Sequence, residues 1–184
     1  MKSFILACVV LTFCSVMDPT VNLSKSYIDS YKELAVVEMH RSGIPASIIL
    51  AQGLHESGLG KSPLAVKANN HFGIKCKNYW MGKRYYHIDD DTDSKGDLIE
   101  SCFRKYDNDM DSYIDHSNFL MNAPHYENLF KFPSTDYISW AIGLKKSGYA
   151  TDPQYAEKLV KIIEKHQLYQ YDFWPYPLKR KIQE

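Results

Sequence analysis

Hydrophobic positions along the chain change their period three times, and the changes divide it into elements. From Ser26 onward, Tyr27, Tyr31, Leu34, Ala35 and Met39 fall on one helical face, and Ser42-Gly43 ends the run. A second helix is predicted with Pro45 in its first turn, closing around Gly58 or Gly60. The segment 62–75 holds no sustained period and reads as irregular with one short helical turn. Between Lys83 and Tyr106 the period falls to two. Tyr85 to Ile88, an Asp/Ser/Gly-rich turn, and Leu98 to Phe103 predict a β-hairpin. Helical spacing returns over 110–121 and over 136–146, the second stopping at Gly148. A last helix is predicted from Pro153 to about His166, with Thr151 and Gln154 placed for a capping box. After Asp172 the run Trp174-Pro175-Tyr176-Pro177 reads as an extended, loosely held tail over 173–184. The pattern predicts a mainly helical α+β domain with one small β-hairpin lobe.

The N-terminus is of a different character. Lys2 precedes the apolar run Phe4 to Val16, and polar residues resume at Asp18. That length fits the core of a signal peptide and falls short of the roughly 20 residues of a spanning helix. Residues 1–20 are therefore expected to be a cleaved leader or an uncleaved anchor. Either implies export, to periplasm, cell envelope or medium, and the anchor adds membrane attachment. Phe13 before Cys14 spoils a lipoprotein reading. Cys8 and Cys14 lie inside this leader, so Cys76 and Cys102 are the only pair left in the domain. In an oxidising compartment they form a disulfide; the alternative is two buried thiols. Two cysteines are too few for a structural zinc site, and no metal or organic cofactor is implied.

At 184 residues the chain suits one domain with a full core. Lys+Arg and Asp+Glu balance at 22 each, which argues against a general nucleic-acid binder. The 14 tyrosines offer flat apolar faces with polar tips, suited to sugar rings and equally to core packing. Acidic residues concentrate at Asp89, Asp91, Asp93, Asp97 and Glu100, which match positions one, three, five, nine and twelve of a calcium loop. Asp107, Asp109, Asp111 and Asp115 repeat the first four of these positions. The sixth position is Ser94 in one run and Ser112 in the other, where the turn calls for glycine. The first run is also flanked by strand-like residues. A helix–loop–helix calcium site is thus disfavoured, although a looser surface site would not conflict with the rest.

The chemistry concentrates in Ile49-Leu-Ala-Gln-Gly-Leu-His-Glu56. On a helix, Ile49, Gly53 and Glu56 lie one above another, so a carboxylate continues an apolar stripe. It also sits in the last turn, where the negative end of the helix dipole disfavours it. Desolvation and that dipole both raise a carboxyl pKa. A carboxyl that stays protonated near neutral pH is what a general acid needs to protonate a glycosidic oxygen. The plainer reading is a side chain that turns to solvent or pairs with Lys61.

The run Ser42 to Ser62, then Leu64-Ala-Val-Lys-Ala-Asn-Asn-His-Phe-Gly-Ile-Lys75, resembles the glucosaminidase family of bacterial peptidoglycan hydrolases, glycoside hydrolase family seventy-three. The resemblance continues through Cys102 to Tyr106, Asp115-His116 with Phe119-Leu120, and Gly148-Tyr-Ala-Thr-Asp-Pro153, covering residues 26–172. It implies a lysozyme-like fold in which helical and β lobes flank a groove. It also implies cleavage of the β-1,4 bond between N-acetylglucosamine and N-acetylmuramic acid, with peptidoglycan glycan strands as partner and the protein acting as a monomer. By position, Glu56 matches the family's general acid. Tyr149 matches a tyrosine that lines the site and positions sugar or water. Asn69, Asn70 and Phe72 match the loop after the catalytic helix, where packing and capping are the plain alternative. Trp80 is a candidate aromatic platform for substrate or else a core residue, His55 a flanking residue, and His116 structural. The second carboxylate departs from the family pattern, which has a glutamate on the β-lobe. Asp90 stands nearest that position, with Asp89, Asp91, Asp93 and Glu100 as further candidates. Inverting, retaining and substrate-assisted routes all remain open at this point. The missing glutamate also leaves room for a wall-binding module that has lost catalysis.

Overall fold

The computed structural model describes residues 19–176. The apolar leader predicted over 1–20 lies outside the described residues except for Pro19 and Thr20, and the end of the tail, 177–184, lies outside them entirely. Helix α1 spans Pro19–Ser42, α2 Ala46–Glu56 and α3 Pro63–Ala68. Strands β1, Arg84–Thr92, and β2, Leu98–Arg104, follow. Then come α4 (Asp109–Asn122), a 3-10 helix (Pro124–Lys131), α5 (Tyr137–Lys146), α6 (Tyr155–Lys165) and a last 3-10 helix (Leu168–Phe173). This is the mainly helical α+β arrangement that the periodicity predicts. Among the described residues no helix is long and apolar enough to cross a membrane.

Helix α2 is the axis of the core. Every residue from Ala46 to Leu54 is buried, and α1, α5, α6 and the last 3-10 helix pack around it. A helix that is apolar on all sides is stable only when surrounded in this way. The residue at its N-cap is Pro45, whose side chain cannot cap the free amides of the first turn. Asp172 supplies that cap from the far end of the domain. Its carboxylate accepts from the Ser47 amide at 2.8 Å and the Ser47 hydroxyl at 2.7 Å. The described start of the tail, Trp174 to Tyr176, makes contacts with α1. The Trp174 carbonyl accepts from His40 Nε2 at 2.9 Å, and Tyr176 packs edge-on against the same ring.

Two helix starts differ from those the periodicity predicts. Helix α1 begins at Pro19, well before Ser26, because its first turns bury only the polar Ser24 and leave no apolar period to read. Helix α6 begins at Tyr155, and the capping box of Thr151 and Gln154 does not form. Asp152 acts instead: its Oδ1 accepts from the Gln154 amide at 2.9 Å while Oδ2 pairs with Lys158 at 2.5 Å.

The hairpin is antiparallel, with Tyr85 opposite Phe103 and Tyr86 opposite Cys102. Between Ile88 and Thr92 the register slips, four steps along β1 answering two along β2. Asp89 to Asp91 therefore form a bulge. The lobe is stapled to the helices at its base. Lys75 bridges to Phe103, the Cys76 amide donates to the Cys102 carbonyl at 2.7 Å, and Cys76 and Cys102 form a disulfide. Buried Asn70 completes the staple. Its amide nitrogen donates to the Ile74 and Arg104 carbonyls, and its oxygen accepts from the Ile74 amide.

Candidate active site

Glu56 is the last residue of α2, and the chain turns away immediately behind it. Ser57 Oγ donates to the Gly53 carbonyl at 2.5 Å and accepts from the Gly60 amide at 2.7 Å, closing the helix end. The Glu56 side chain is half-buried and pairs with no cation among the described residues, Lys61 included. Its Oε1 accepts a 3.0 Å hydrogen bond from the Tyr155 hydroxyl. Oε2 makes no hydrogen bond with any described residue. Burial raises the Glu56 pKa, and only the Tyr155 hydrogen bond and the nearby His55 ring act against that rise.

Around this carboxyl the chain assembles an aromatic wall from four separate segments. Tyr155 on α6 stacks on Tyr149, with ring centres 5.5 Å apart and planes 25° apart. Tyr149, in the loop before α6, meets the His116 ring edge-on at 6.3 Å. Phe72 lies flat on His116 at 4.0 Å. Burial and the Glu56 charge push the Tyr149 hydroxyl well above its ordinary pKa, so it stays protonated at any working pH. Of the residues singled out from sequence, Glu56, Tyr149 and Phe72 are thus brought together, with Phe72 buried beneath the wall.

The others lie elsewhere. Asn69 ends α3 in a left-handed conformation and donates to the Tyr106 carbonyl at 3.1 Å, while Asn70 serves the staple already described. Trp80 donates its indole N–H to the Lys83 carbonyl and stacks on the Arg104 guanidinium at 4.6 Å. With Lys83, Tyr106, Asp111, Asp115 and Asn118 it lines a cleft of about 470 Å³, whose walls include neither Glu56 nor Tyr149.

The acidic residues of the hairpin are largely engaged. Lys75 Nζ pairs with Asp89 at 2.9 Å and with Asp91 at 2.6 Å, and Asp91 also accepts from the Ser101 hydroxyl. The Lys75 contact holds the Asp91 carboxyl below its usual range. Asp93 accepts from the Lys95 and Asp97 amides and shapes the turn. Glu100 is exposed on β2. Asp90 lies in the bulge of β1, and its side chain is outside the described part of the structure. Of the second acidic run, Asp109 and Asp111 lie in the first turn of α4, which Asn108 caps and where the helix dipole favours carboxylates, while Asp107 pairs with Lys83 and Asp115 with Arg104. Neither run is a helix–loop–helix. Among the described residues no group of three His, Cys, Asp or Glu side chains is set to hold a metal ion.

Two further residues, Gln52 and Tyr155, belong to the site without standing out in the sequence, and His116 does more there than fill space. Gln52 is fully buried one turn before Glu56; its Nε2 donates to the Tyr155 hydroxyl at 3.0 Å, and its Oε1 meets His116 Nε2 at 3.1 Å. A polar amide inside an otherwise apolar helix is the available signal, since such a group must find partners.

An unpaired, partly buried carboxyl at a helix end, backed by tyrosines, defines an acid–base site of the kind that glycoside hydrolases use. The chain belongs to the glucosaminidase family, whose description is mannosyl-glycoprotein endo-beta-N-acetylglucosaminidase, with residues 32–168 matched. It is 36% identical over 153 residues to the exo-glucosaminidase LytG of Bacillus subtilis, covering 79% of this chain and 52% of that protein. It is 32% identical over 148 residues to the peptidoglycan hydrolase FlgJ of Vibrio parahaemolyticus, covering 77% and 47%. The chain therefore spans about half the length of these curated relatives. Among solved structures, it resembles the glycoside hydrolase domain of Salmonella typhimurium FlgJ with a TM-score of 0.63 at 28% identity, covering 78% of this chain and 88% of that one. The catalytic domain of the autolysin Auto from Listeria monocytogenes gives 0.66 at 28% identity, covering 85% and 91%. The lysozyme-like architecture implied by the resemblance is thus the observed one.

Proposed function

We propose that this chain hydrolyses peptidoglycan glycan strands, cleaving the β-1,4 bond between N-acetylglucosamine and N-acetylmuramic acid with Glu56 as general acid. One observation carries the reading. Glu56 is an unpaired carboxyl whose pKa burial raises, and its Oε2 makes no hydrogen bond with any described residue. In the reaction the Oε2 proton passes to the glycosidic oxygen as the bond to the anomeric carbon breaks. The bonding electron pair stays on the departing oxygen, and water supplies the new hydroxyl at the anomeric carbon while its other proton passes to the second carboxylate. The Tyr155 hydroxyl stabilises the carboxylate left behind.

Tyr149 lines the position next to the acid and orients sugar or water. Phe72 supports the wall from beneath. Asn69 and Asn70 act on the groove by fixing the loop after α3 to Tyr106 and to the end of β2, and Trp80 offers a platform for an outlying part of the strand. Asp90 is the proposed second carboxylate, a choice supported by the ion pairs that already occupy Asp89 and Asp91. Residues 26–172 form the catalytic domain. The Cys76–Cys102 disulfide supports export to an oxidising compartment, the leader directing it there.

Purified peptidoglycan incubated with wild type and with Glu56→Gln tests the reading by mass spectrometry of the released muropeptides. Wild type should release products with new N-acetylglucosamine reducing ends, and the variant should lose a factor of about 10² to 10⁴ in rate. Equal release by both refutes the general-acid assignment. No release by wild type favours a binding module without catalysis. Product size separates internal cleavage from removal of terminal sugars.

A further inference from the structure

The hydrogen bonds behind Glu56 have a direction, and the direction begins in the core. His116, Gln52 and Tyr155 are each essentially buried and form a chain with Glu56, every link 3.0 or 3.1 Å long. Such a chain can run two ways. In one, His116 Nε2–H donates to Gln52 Oε1, Gln52 Nε2 donates to the Tyr155 oxygen, and Tyr155 O–H donates to Glu56 Oε1. In the other, every donor is reversed, which requires the His116 proton on Nδ1.

The far end of the chain selects between them. His116 Nδ1 is buried with no hydrogen-bond partner among the described residues, and Phe72 covers the ring face at 4.0 Å. A proton on that nitrogen would be a buried donor with nothing to bond, a costly arrangement. The proton therefore sits on Nε2, and the Gln52 amide and the Tyr155 hydroxyl are each fixed in one sense.

We propose that Gln52 and His116 are positioning residues for Glu56: a one-way hydrogen-bond chain anchored at the dry Nδ1 of His116 obliges Tyr155 to donate to Oε1 and so confines the acidic proton to Oε2. This rests on the glycosidase reading above and adds what aims the acid. Burial drives the His116 pKa down to about 3, so the anchor stays neutral while Glu56 titrates. The groups that face Glu56 are His55 on α2 itself, Tyr155 on α6 and Tyr149 in the loop before α6. α4 reaches it only through His116 and Gln52, and α1 presents Tyr27 to Gly53, a turn away. Tyr155 is thus the sole hydrogen-bond donor to the carboxyl among the described residues.

Initial rates on solubilised glycan strands, measured from pH 4 to 9, test the chain. The high-pH limb of activity marks loss of the general-acid proton. Tyr155→Phe removes a donor that favours the carboxylate, so its limb should move to higher pH while the maximal rate falls about tenfold or more. Gln52→Glu keeps the shape but offers an acceptor to Tyr155, turning the hydroxyl away from Glu56; its limb should move in the same direction. A merely structural role would lower the yield of folded enzyme and leave the limb in place. Because a carboxyl at position 52 can prevent folding, nitrogen NMR of the wild-type His116 ring provides a second measurement. A neutral Nε2–H tautomer is expected, and an Nδ1–H tautomer overturns the proposal. Unmoved limbs in an otherwise active enzyme, with Glu56→Gln inactive, overturn it alone. An inactive wild type, or an active Glu56→Gln, overturns it together with the glycosidase reading.

Discussion

Replacing Gly53 by alanine puts the packing around α2 to a quantitative test. In a helix interior alanine is favoured over glycine by about 1 kcal/mol, so local propensity alone predicts a more stable protein. The surroundings oppose this. A Cβ at position 53 would lie 2.5 Å from the Tyr27 hydroxyl oxygen and 3.1 Å from that of Tyr113. Tyr27 cannot step aside freely, since it is buried, its ring packs on Tyr31 at 4.6 Å, and its hydroxyl bonds Tyr113 and His71 Nδ1, each at 2.9 Å. Relieving the overlap means stretching at least one buried hydrogen bond, at about 1–3 kcal/mol for a polar group left unmatched, with about 1–3 kcal/mol more for overpacking. After the gain in propensity, the net loss is about 1–5 kcal/mol. For a domain of this size that lowers Tm by about 2–20 °C. Calorimetric melts of Gly53→Ala in the wild-type and Tyr27→Phe backgrounds provide the assay. Deleting the hydroxyl should recover most of the loss, a coupling expected of atoms in contact. A Gly53→Ala protein as stable as wild type, or a loss unchanged by Tyr27→Phe, would refute the reasoning.

Asp172 gives a pH dependence with a definite sign. Burial lifts its pKa from 3.8 to about 6 despite the donors from Ser47, so the folded state holds this proton more tightly than the unfolded chain does. Its contribution to stability is therefore complete below about pH 4 and is lost as pH rises through about 6. Asp172→Asn keeps an acceptor for the Ser47 amide and removes the titration, so the variant should gain on wild type in Tm between pH 4 and 7; parallel curves would show that this carboxyl does not titrate there. The Cys76–Cys102 bridge closes a loop with a sequence separation of 26 residues, which the chain-entropy model values at about 3.5 kcal/mol. Reduction under non-denaturing conditions should lower Tm by about 7–14 °C, and a drop of a degree or less would mean that the hydrogen-bonded staple at Asn70 suffices alone.

Whatever a short window of residues contains is legible in the sequence. The stripe of Ile49, Gly53 and Glu56 lies within two turns of one helix, so the misplaced carboxyl shows in the residue order itself. The hairpin shows because Tyr85 to Ile88 and Leu98 to Phe103 alternate locally. The bulge at Asp89 to Asp91 does not, because its cation is Lys75, outside the hairpin altogether. The cap on α2 is hidden for the same reason: Pro45 offers no side chain that can cap, and the residue that supplies one is 125 positions from Ser47. The exposed start of α1 leaves no periodic signal, since hydrophobic periodicity reports burial rather than helicity.

The proposed active site shows the same division, and there it has a chemical consequence. A general acid must hold its proton at the working pH and yet give it up in the transition state. Burial at the end of α2 raises the Glu56 pKa and so favours the first, and it is legible in the residues around Glu56. It also works against the second, because a carboxylate stranded in apolar surroundings is costly. The Tyr155 hydroxyl offsets that cost by donating to the anion, 99 residues away in the chain. A tyrosine hydroxyl can equally accept from a protonated carboxyl, which would stabilise the reactant and slow the transfer. Only the groups behind it, Gln52 on α2 and His116 on α4, determine which it does. On the proposed mechanism the helix thus sets the acid's affinity for its proton, whereas the core, through a glutamine and a neutral imidazole, sets the ease of its departure.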